Sequence, residues 1–275
     1  MKQVLIFLKE LYEEIINDDV FGLAAQLAYF FLLSLFPFLL FLITLIGYLP
    51  IDEQVIMKVL STVAPADSMQ LIESNVEQLA HQQNGGLLSI TLIGTLWSAS
   101  NGVNAIMRSF NHAYDVKESR SFIVSRFIAI VLTIAMIGVI IVAILLPVLG
   151  RMIGVYIFSF FGLSDNFLTV WEMLRWVISS VVFFIVFLFL YKLAPNMRIH
   201  FRNCFWGALF ATTTWQLVSF GFSYYVETLG NYSATYGSLG AVIVLMIWFY
   251  ISGVIIIIGG VINATIRKYK LERKR

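Results

Sequence analysis

The chain has 275 residues, of which 60% are hydrophobic and 12% charged, and its formal net charge is +2. Soluble domains run at roughly 45–50% apolar and about 25% charged, so this composition excludes a water-soluble globule. The near-balanced charge gives no electrostatic reason to expect a nucleic-acid partner, and the single cysteine, Cys204, excludes an internal disulfide.

Residues 3–20 place Val4, Leu5, Leu8, Leu11, Ile15 and Ile16 at helical spacing, with Lys9, Glu10, Glu13 and Glu14 opposite. An amphipathic helix follows, lying on the cytoplasmic interface or packed against the inner side of a helix bundle. Six apolar stretches come after its start: 23–49, 86–107, 122–149, 169–194, 205–226 and 240–266. Each has about 20 or more residues, the length that crosses a hydrocarbon core of about 30 Å. The first has no cleavage site after it and is too long for a signal peptide, so it is expected to stay in the protein. Within it, Ala24, Ala25 and Ala28 permit close helix approach, and Pro37 removes a backbone donor and marks a kink or hinge candidate.

Residues 51–85 are acidic and broken by Pro65, which predicts two short helices forming an external cap. The second apolar stretch carries Trp97, Asn101 and Asn104, then Arg108, Asn111 and His112, at three- and four-residue steps. Such a face lines a polar path or supplies interhelical hydrogen bonds, and the sequence leaves both open. Arg126, just inside the third stretch, either snorkels to the cytoplasm or joins Arg108 around a phosphate or carboxylate headgroup. Residues 150–168 are aromatic and too short for a further crossing with turns. Gln216 and Tyr225 in the fifth stretch, and Asn263 in the sixth, add polar groups; Gly237 lies in the polar loop 227–239 between them.

The basic residues alternate across these stretches. Fifteen of the 18 Lys and Arg residues fall on the N-terminal, C-terminal and even-numbered-loop side, and only Lys58, Arg151 and Arg175 fall on the other. By the positive-inside rule the majority side is cytoplasmic. The expected architecture is an all-α integral membrane protein, a single membrane domain over 1–275. It has six transmembrane helices, N- and C-termini cytoplasmic, an amphipathic N-terminal helix (1–22), a small external helical cap (51–85) and a basic cytoplasmic tail (267–275).

His81, His112 and His200 are scattered, and no His, Cys or carboxylate grouping has metal-ligand spacing. A nucleophile elbow, a P-loop and a dinucleotide fingerprint are absent, so no enzymatic activity, catalytic residue, metal or cofactor is expected.

Several motifs then converge. Ala24-Ala25-Gln26-Leu27-Ala28-Tyr29, Ser34-Leu35-Phe36-Pro37, Leu96-Trp97-Ser98-Ala99-Ser100 and Phe110-Asn111-His112-Ala113-Tyr114 are four of them. Tyr236-Gly237-Ser238-Leu239-Gly240, Trp248-Phe249-Tyr250 and Gly259-Gly260-Val261-Ile262-Asn263-Ala264 complete the set. Together they resemble the YihY/BrkB family of bacterial inner-membrane proteins over nearly the whole chain. The resemblance implies six helices with both termini inside and a location in the bacterial cytoplasmic membrane. Members have been called ribonuclease BN, a label regarded as a misassignment; others are associated with serum resistance or envelope lipid export. The reading that results is an envelope transporter or facilitator of a lipid or other amphiphile, with membrane lipids as partners and no nucleic acid. Its substrate path is expected at Asn101, Asn104, Arg108, Arg126, Gln216 and Tyr225, in one inward-opening cavity. Pro37, Trp97, Gly237 and Asn263 are structural or hinge candidates. The alternative is a non-transporting scaffold that recruits envelope enzymes.

Overall fold

The computed structural model describes residues 2–46, 48, 85–138, 165–229 and 239–272. These form seven helices and no strand: α1 (Lys2–Asn17), α2 (Val20–Ile46), α3 (Gly85–Ala113), α4 (Phe122–Gly138), α5 (Asp165–Leu193), α6 (Phe201–Leu229) and α7 (Leu239–Glu272). The expected cap at 51–84, most of 150–168, Gly237 and the last three residues of the tail lie outside the described residues. Three helical segments are long and apolar enough to cross a membrane: Val20–Leu42, Met173–Leu193 and Val242–Leu271.

Several helix ends differ from the sequence expectation. Helix α3 runs on to Ala113, α6 takes in Glu227–Leu229 from the expected loop, and α7 continues through Arg267 and Lys268 to Glu272. The cause at α7 is amphipathicity: once the apolar stretch ends, a charged turn still packs on α1, with Lys268 Nζ 2.7 Å from Glu14 Oε1. Helix α3 stops in a hydrogen-bonded wrap in which Asp115 N donates to His112 O and Val116 N to Asn111 O, with Asp115 left-handed at φ 52°. Asp19 takes a similar conformation, at φ 47°, between α1 and α2, and its carbonyl accepts from Leu23 N in the first turn of α2 at 3.0 Å.

The described chain divides into two compact units, residues 1–29 with 100–275, and residues 30–99. In the first, α1 packs on α7, α7 on α6 and α6 on α5. Val20, Ala24, Ile257 and Val261 form a fully buried cluster, and Leu11 and Ile15 of α1 close over it. The small residues expected to permit close approach do so: a Cβ on Gly253 would stand 3.3 Å from the Ala24 backbone. The α6–α7 contact is tighter still. A Cβ on Gly207 would collide with the Gly259 carbonyl, and one on Gly260 with the Phe110 ring. Buried Asn263 clasps this crossing, accepting from Gly207 N at 2.8 Å and donating to Cys204 O at 3.2 Å. Tyr191 of α5 adds a hydroxyl bond to Ile256 O at 2.9 Å.

In the second unit, α2 continues as helix through Pro37, which packs 3.6 Å from a Cβ position on Gly94 of α3. Trp97 is 54% exposed. Thr44, Thr91 and Thr95 each return their hydroxyl to a carbonyl of their own helix, the way a hydroxyl is satisfied where water is scarce. Elsewhere α5 turns Met173, Trp176, Val181, Ile185 and Phe189 outward, an apolar surface suited to lipid.

Candidate functional site: a polar recess beside α3 and α4

The end of α3 and the start of α4 enclose a recess of about 390 Å³. Asn104, Met107, Arg108 and Asn111 line it from α3, and Phe122, Ser125 and Arg126 from α4. Glu118 and Arg120 of the connecting loop complete the wall. A polar face forms on α3 because Asn104, Arg108 and Asn111 follow one another at three- and four-residue steps.

Arg126 does not snorkel outward. It is 9% exposed and donates from Nη1 to Asn101 Oδ1 at 2.6 Å, so Asn101 positions the guanidinium without lining the recess. Arg108 is exposed and donates from Nη2 to Gln26 Oε1 of α2 at 2.8 Å. Ser125 has a buried hydroxyl oxygen with no hydrogen-bond partner among the described residues.

A loop network that the sequence reading did not single out holds this wall in place. Asn111 Nδ2 donates to Glu118 Oε2 at 2.8 Å, and Asn111 Oδ1 accepts from Asn196 N at 2.6 Å. Asn196 Nδ2 donates to Lys117 O and Ser119 Oγ, both at 2.8 Å, while its Oδ1 accepts from Arg120 Nε at 3.0 Å. Arg120 also pairs with Glu118 at 3.3 Å and caps Ala194 O at 2.9 Å. The loops 114–121 and 194–200 are thereby sewn together. The available signal was their content of amides and charges between two apolar stretches, but no periodicity pairs one loop with another.

The expected single cavity is corrected at three positions: Asn101 stands behind Arg126, and Gln216 and Tyr225 lie elsewhere. Gln216 does not line the recess: its Nε2 donates to Ser180 Oγ at 2.9 Å, an α5–α6 bridge. Tyr225, exposed near the far end of α6, does not line it either. Gln216 and Tyr225 lie 15 and 24 residues along α6 from Phe201, roughly 22 and 36 Å at ~1.5 Å per residue, too far along the axis to reach the recess.

The polar face of α3 also divides. His112 turns away from Asn111 into a second recess, of about 460 Å³, against α1 and α7. There its Nδ1 lies 3.2 Å from Asp18 Oδ1. Asp18 is 3% exposed, and burial pushes its carboxyl up to about 6, with His112 opposing and Glu14 adding to the rise. Burial likewise raises the Tyr114 phenol. The two recesses differ in charge. The first has three arginines against one glutamate, whereas the second sets Glu14, Asp18 and Asp115 against Arg267 and Lys268. Positive excess belongs to the first. Among the described residues no three of His, Cys, Asp and Glu gather as metal ligands.

Long apolar helices, outward-facing apolar side chains and self-satisfied hydroxyls define a helical membrane protein. The chain belongs to the family described as virulence factor BrkB, whose model matches residues 11–275. It is similar to the ribonuclease-like protein YfkH of Bacillus subtilis (strain 168), with 54% identity over 264 residues, 96% of each chain. It is also similar to UPF0761 membrane protein VSAL_I2938 of Aliivibrio salmonicida, with 29% identity over 266 residues, 95% of this chain and 82% of that one. A third relative, UPF0761 membrane protein IL2447 of Idiomarina loihiensis, is 29% identical over 119 residues, 43% of this chain and 42% of that one. No solved structure matches the chain.

Proposed function

We propose that the protein spans the bacterial cytoplasmic membrane six times, with both termini cytoplasmic, and moves a lipid or other amphiphile between leaflets. The charge asymmetry supports this topology, since 15 of 18 basic residues fall on one side. It would place the α3–α4 recess at the cytoplasmic surface. The observation that carries the reading is the coexistence in one recess of Arg108 and Arg126 with Phe122, 75% exposed at its margin. A charged interior beside an apolar rim suits a molecule with a polar head and an apolar tail. Costly charges this close to lipid mark a functional position more readily than a packing device.

The scaffold reading draws on the clasped loops 114–121 and 194–200, whose rigidity suits a docking surface. The transport reading is favoured because the recess is open to a headgroup and carries three arginines against one glutamate. Nuclease activity is not part of this proposal. Despite the name of the Bacillus relative, the recess offers arginines and amides, not the convergent carboxylates or imidazoles that hold catalytic metal ions. Proteoliposomes containing fluorescent short-chain lipids test the proposal: movement to the opposite leaflet should exceed that in protein-free liposomes. Rates no higher than in protein-free liposomes, for lipids of several headgroups, would leave the scaffold role.

A further inference from the structure

Resting on the reading that α2 enters the membrane from the cytoplasmic side, we propose that α1 is half sunk in the bilayer surface, with the row Leu8, Tyr12 and Ile16 in contact with lipid. The structure divides the apolar side of this helix in two. At about 100° per residue, Leu11, Ile15, Leu8, Tyr12 and Ile16 fill one continuous arc of about 140°. Leu11 and Ile15, at one edge of the arc, close over the buried cluster of Val20, Ala24, Ile257 and Val261. The rest of the arc is left uncovered by the described residues: Leu8 is 52%, Tyr12 67% and Ile16 52% exposed, in a line with one helical turn between neighbours. Past Ile16 the arc gives way to Lys9 and Glu13, which pair with each other at 3.6 Å on the outer side of the helix. The packing therefore uses half of an apolar surface and presents the other half.

Three observations make lipid the occupant. The first is position. Val20, four residues after Ile16, opens the apolar span Val20–Leu42, and left-handed Asp19 breaks α1 from α2, so that α1 does not run on along the axis of the span. Lys268, near the end of the span Val242–Leu271, holds Glu14 at 2.7 Å. A helix fastened to the ends of two spans stays at the membrane boundary. The second is continuity: after the turn an exposed row resumes on the span itself at Phe21, Ala25 and Tyr29, again at four-residue steps. Lipid covers both rows, whereas a soluble partner would have to stop where the span begins. The third is charge. Between residues 9 and 14 one lysine stands with three glutamates, which gives an anionic surface no attraction, so the contact must come from apolar burial. Tyr12, with an apolar ring and a polar tip, is a side chain suited to the headgroup level.

Fluorescence of the full chain in phosphatidylcholine vesicles tests the contact. In a Cys204→Ser background, Leu8→Cys, Tyr12→Cys and Glu13→Cys each carry an environment-sensitive nitrobenzoxadiazole label; all three positions are exposed, so folding does not hang on the side chain replaced. Labels at 8 and 12 are expected to emit to the blue of the label at 13. Lipid bearing a nitroxide high on its acyl chain should quench them severalfold more than the label at 13, and iodide in the water should quench them severalfold less. Adding phosphatidylglycerol should leave these differences unchanged. Iodide quenching at 8 and 12 as strong as at 13 puts the row in water and overturns the proposal. Shielding from both quenchers means that protein, a second copy or another partner, covers the row, and overturns it equally. Lipid contact that appears only with phosphatidylglycerol overturns its apolar basis. The side of the membrane is read separately, with an impermeant maleimide at position 13: reaction only from outside overturns the topology, while nitroxide quenching at 8 and 12 still upholds the lipid contact.

Discussion

The Asp18 carboxylate meets the His112 imidazole with Oδ1 3.2 Å from Nδ1, tying the turn after α1 to the last turn of α3. Burial raises Asp18 from 3.8 to about 6, so the folded protein holds this proton more tightly than the unfolded chain does. The group's favourable contribution is therefore complete below about pH 4 and is lost as pH rises through about 6. Thermal unfolding in detergent across that window should show a decline of about 1–3 kcal/mol from this site, and Asp18→Asn should remove it. His112→Ala takes away the charge that opposes the rise, so it should move the decline to higher pH. An unchanged profile in Asp18→Asn would assign the titration elsewhere.

Glycine spacing at the α6–α7 crossing makes a second prediction. A methyl at Gly207 or Gly259 meets backbone or the Tyr191 hydroxyl, neither of which can retreat without moving a helix. Gly207→Ala and Gly259→Ala are each expected to cost about 1–3 kcal/mol or more. A Cβ on Gly221, also within α6, meets nothing within 4 Å. Gly221→Ala should therefore be neutral or stabilise by about 0.5–1 kcal/mol, through helix propensity alone. Comparable losses in all three would refute the close-contact explanation.

Asn263 and Gln216 are polar residues of similar chemistry in different employment. Asn263→Ala leaves Gly207 N without its side-chain acceptor and opens a gap at a fully buried crossing, and is expected to cost about 1–3 kcal/mol. Gln216→Ala breaks the bridge to Ser180 and should lower stability while leaving lipid translocation unchanged. Thermal unfolding of the two variants in detergent checks both losses.

Topology is accessible through the single cysteine. Cys204 is buried, so Cys204→Ser gives a background in which introduced thiols report alone. Ser119→Cys, in the exposed loop after α3, should react with an impermeant reagent only from the cytoplasmic side, and Thr228→Cys, exposed near the end of α6, only from outside. Labelling of both from one side contradicts the six-span arrangement.

Much of the recess was legible in the sequence because it depends on local spacing. Asn101, Asn104 and Arg108 share one face of α3 by helical periodicity, and Arg126 falls near them because only a short loop separates α3 from α4. The amphipathic character of α1 likewise announced the face that covers Val20 and Val261. What was not legible depends on contacts between distant segments. Gln216 announces that it needs a partner, but only the packing of α5 on α6 makes that partner Ser180. The same holds for Asn196, which organises the recess wall from some 85 residues away in sequence. Helix ends also escaped, because charged turns such as Arg267–Glu272 remain helical when another helix is there to pair with them.

The most direct test of the account is lipid translocation in proteoliposomes compared across three forms: parent, Arg108→Gln and Gln216→Ala. The account predicts that the parent and Gln216→Ala move a fluorescent short-chain lipid between leaflets at similar rates, and that Arg108→Gln falls at least about tenfold, the loss expected for one charge-assisted contact. Equal rates in the parent and Arg108→Gln, or no rate above protein-free liposomes in any of them, would contradict it.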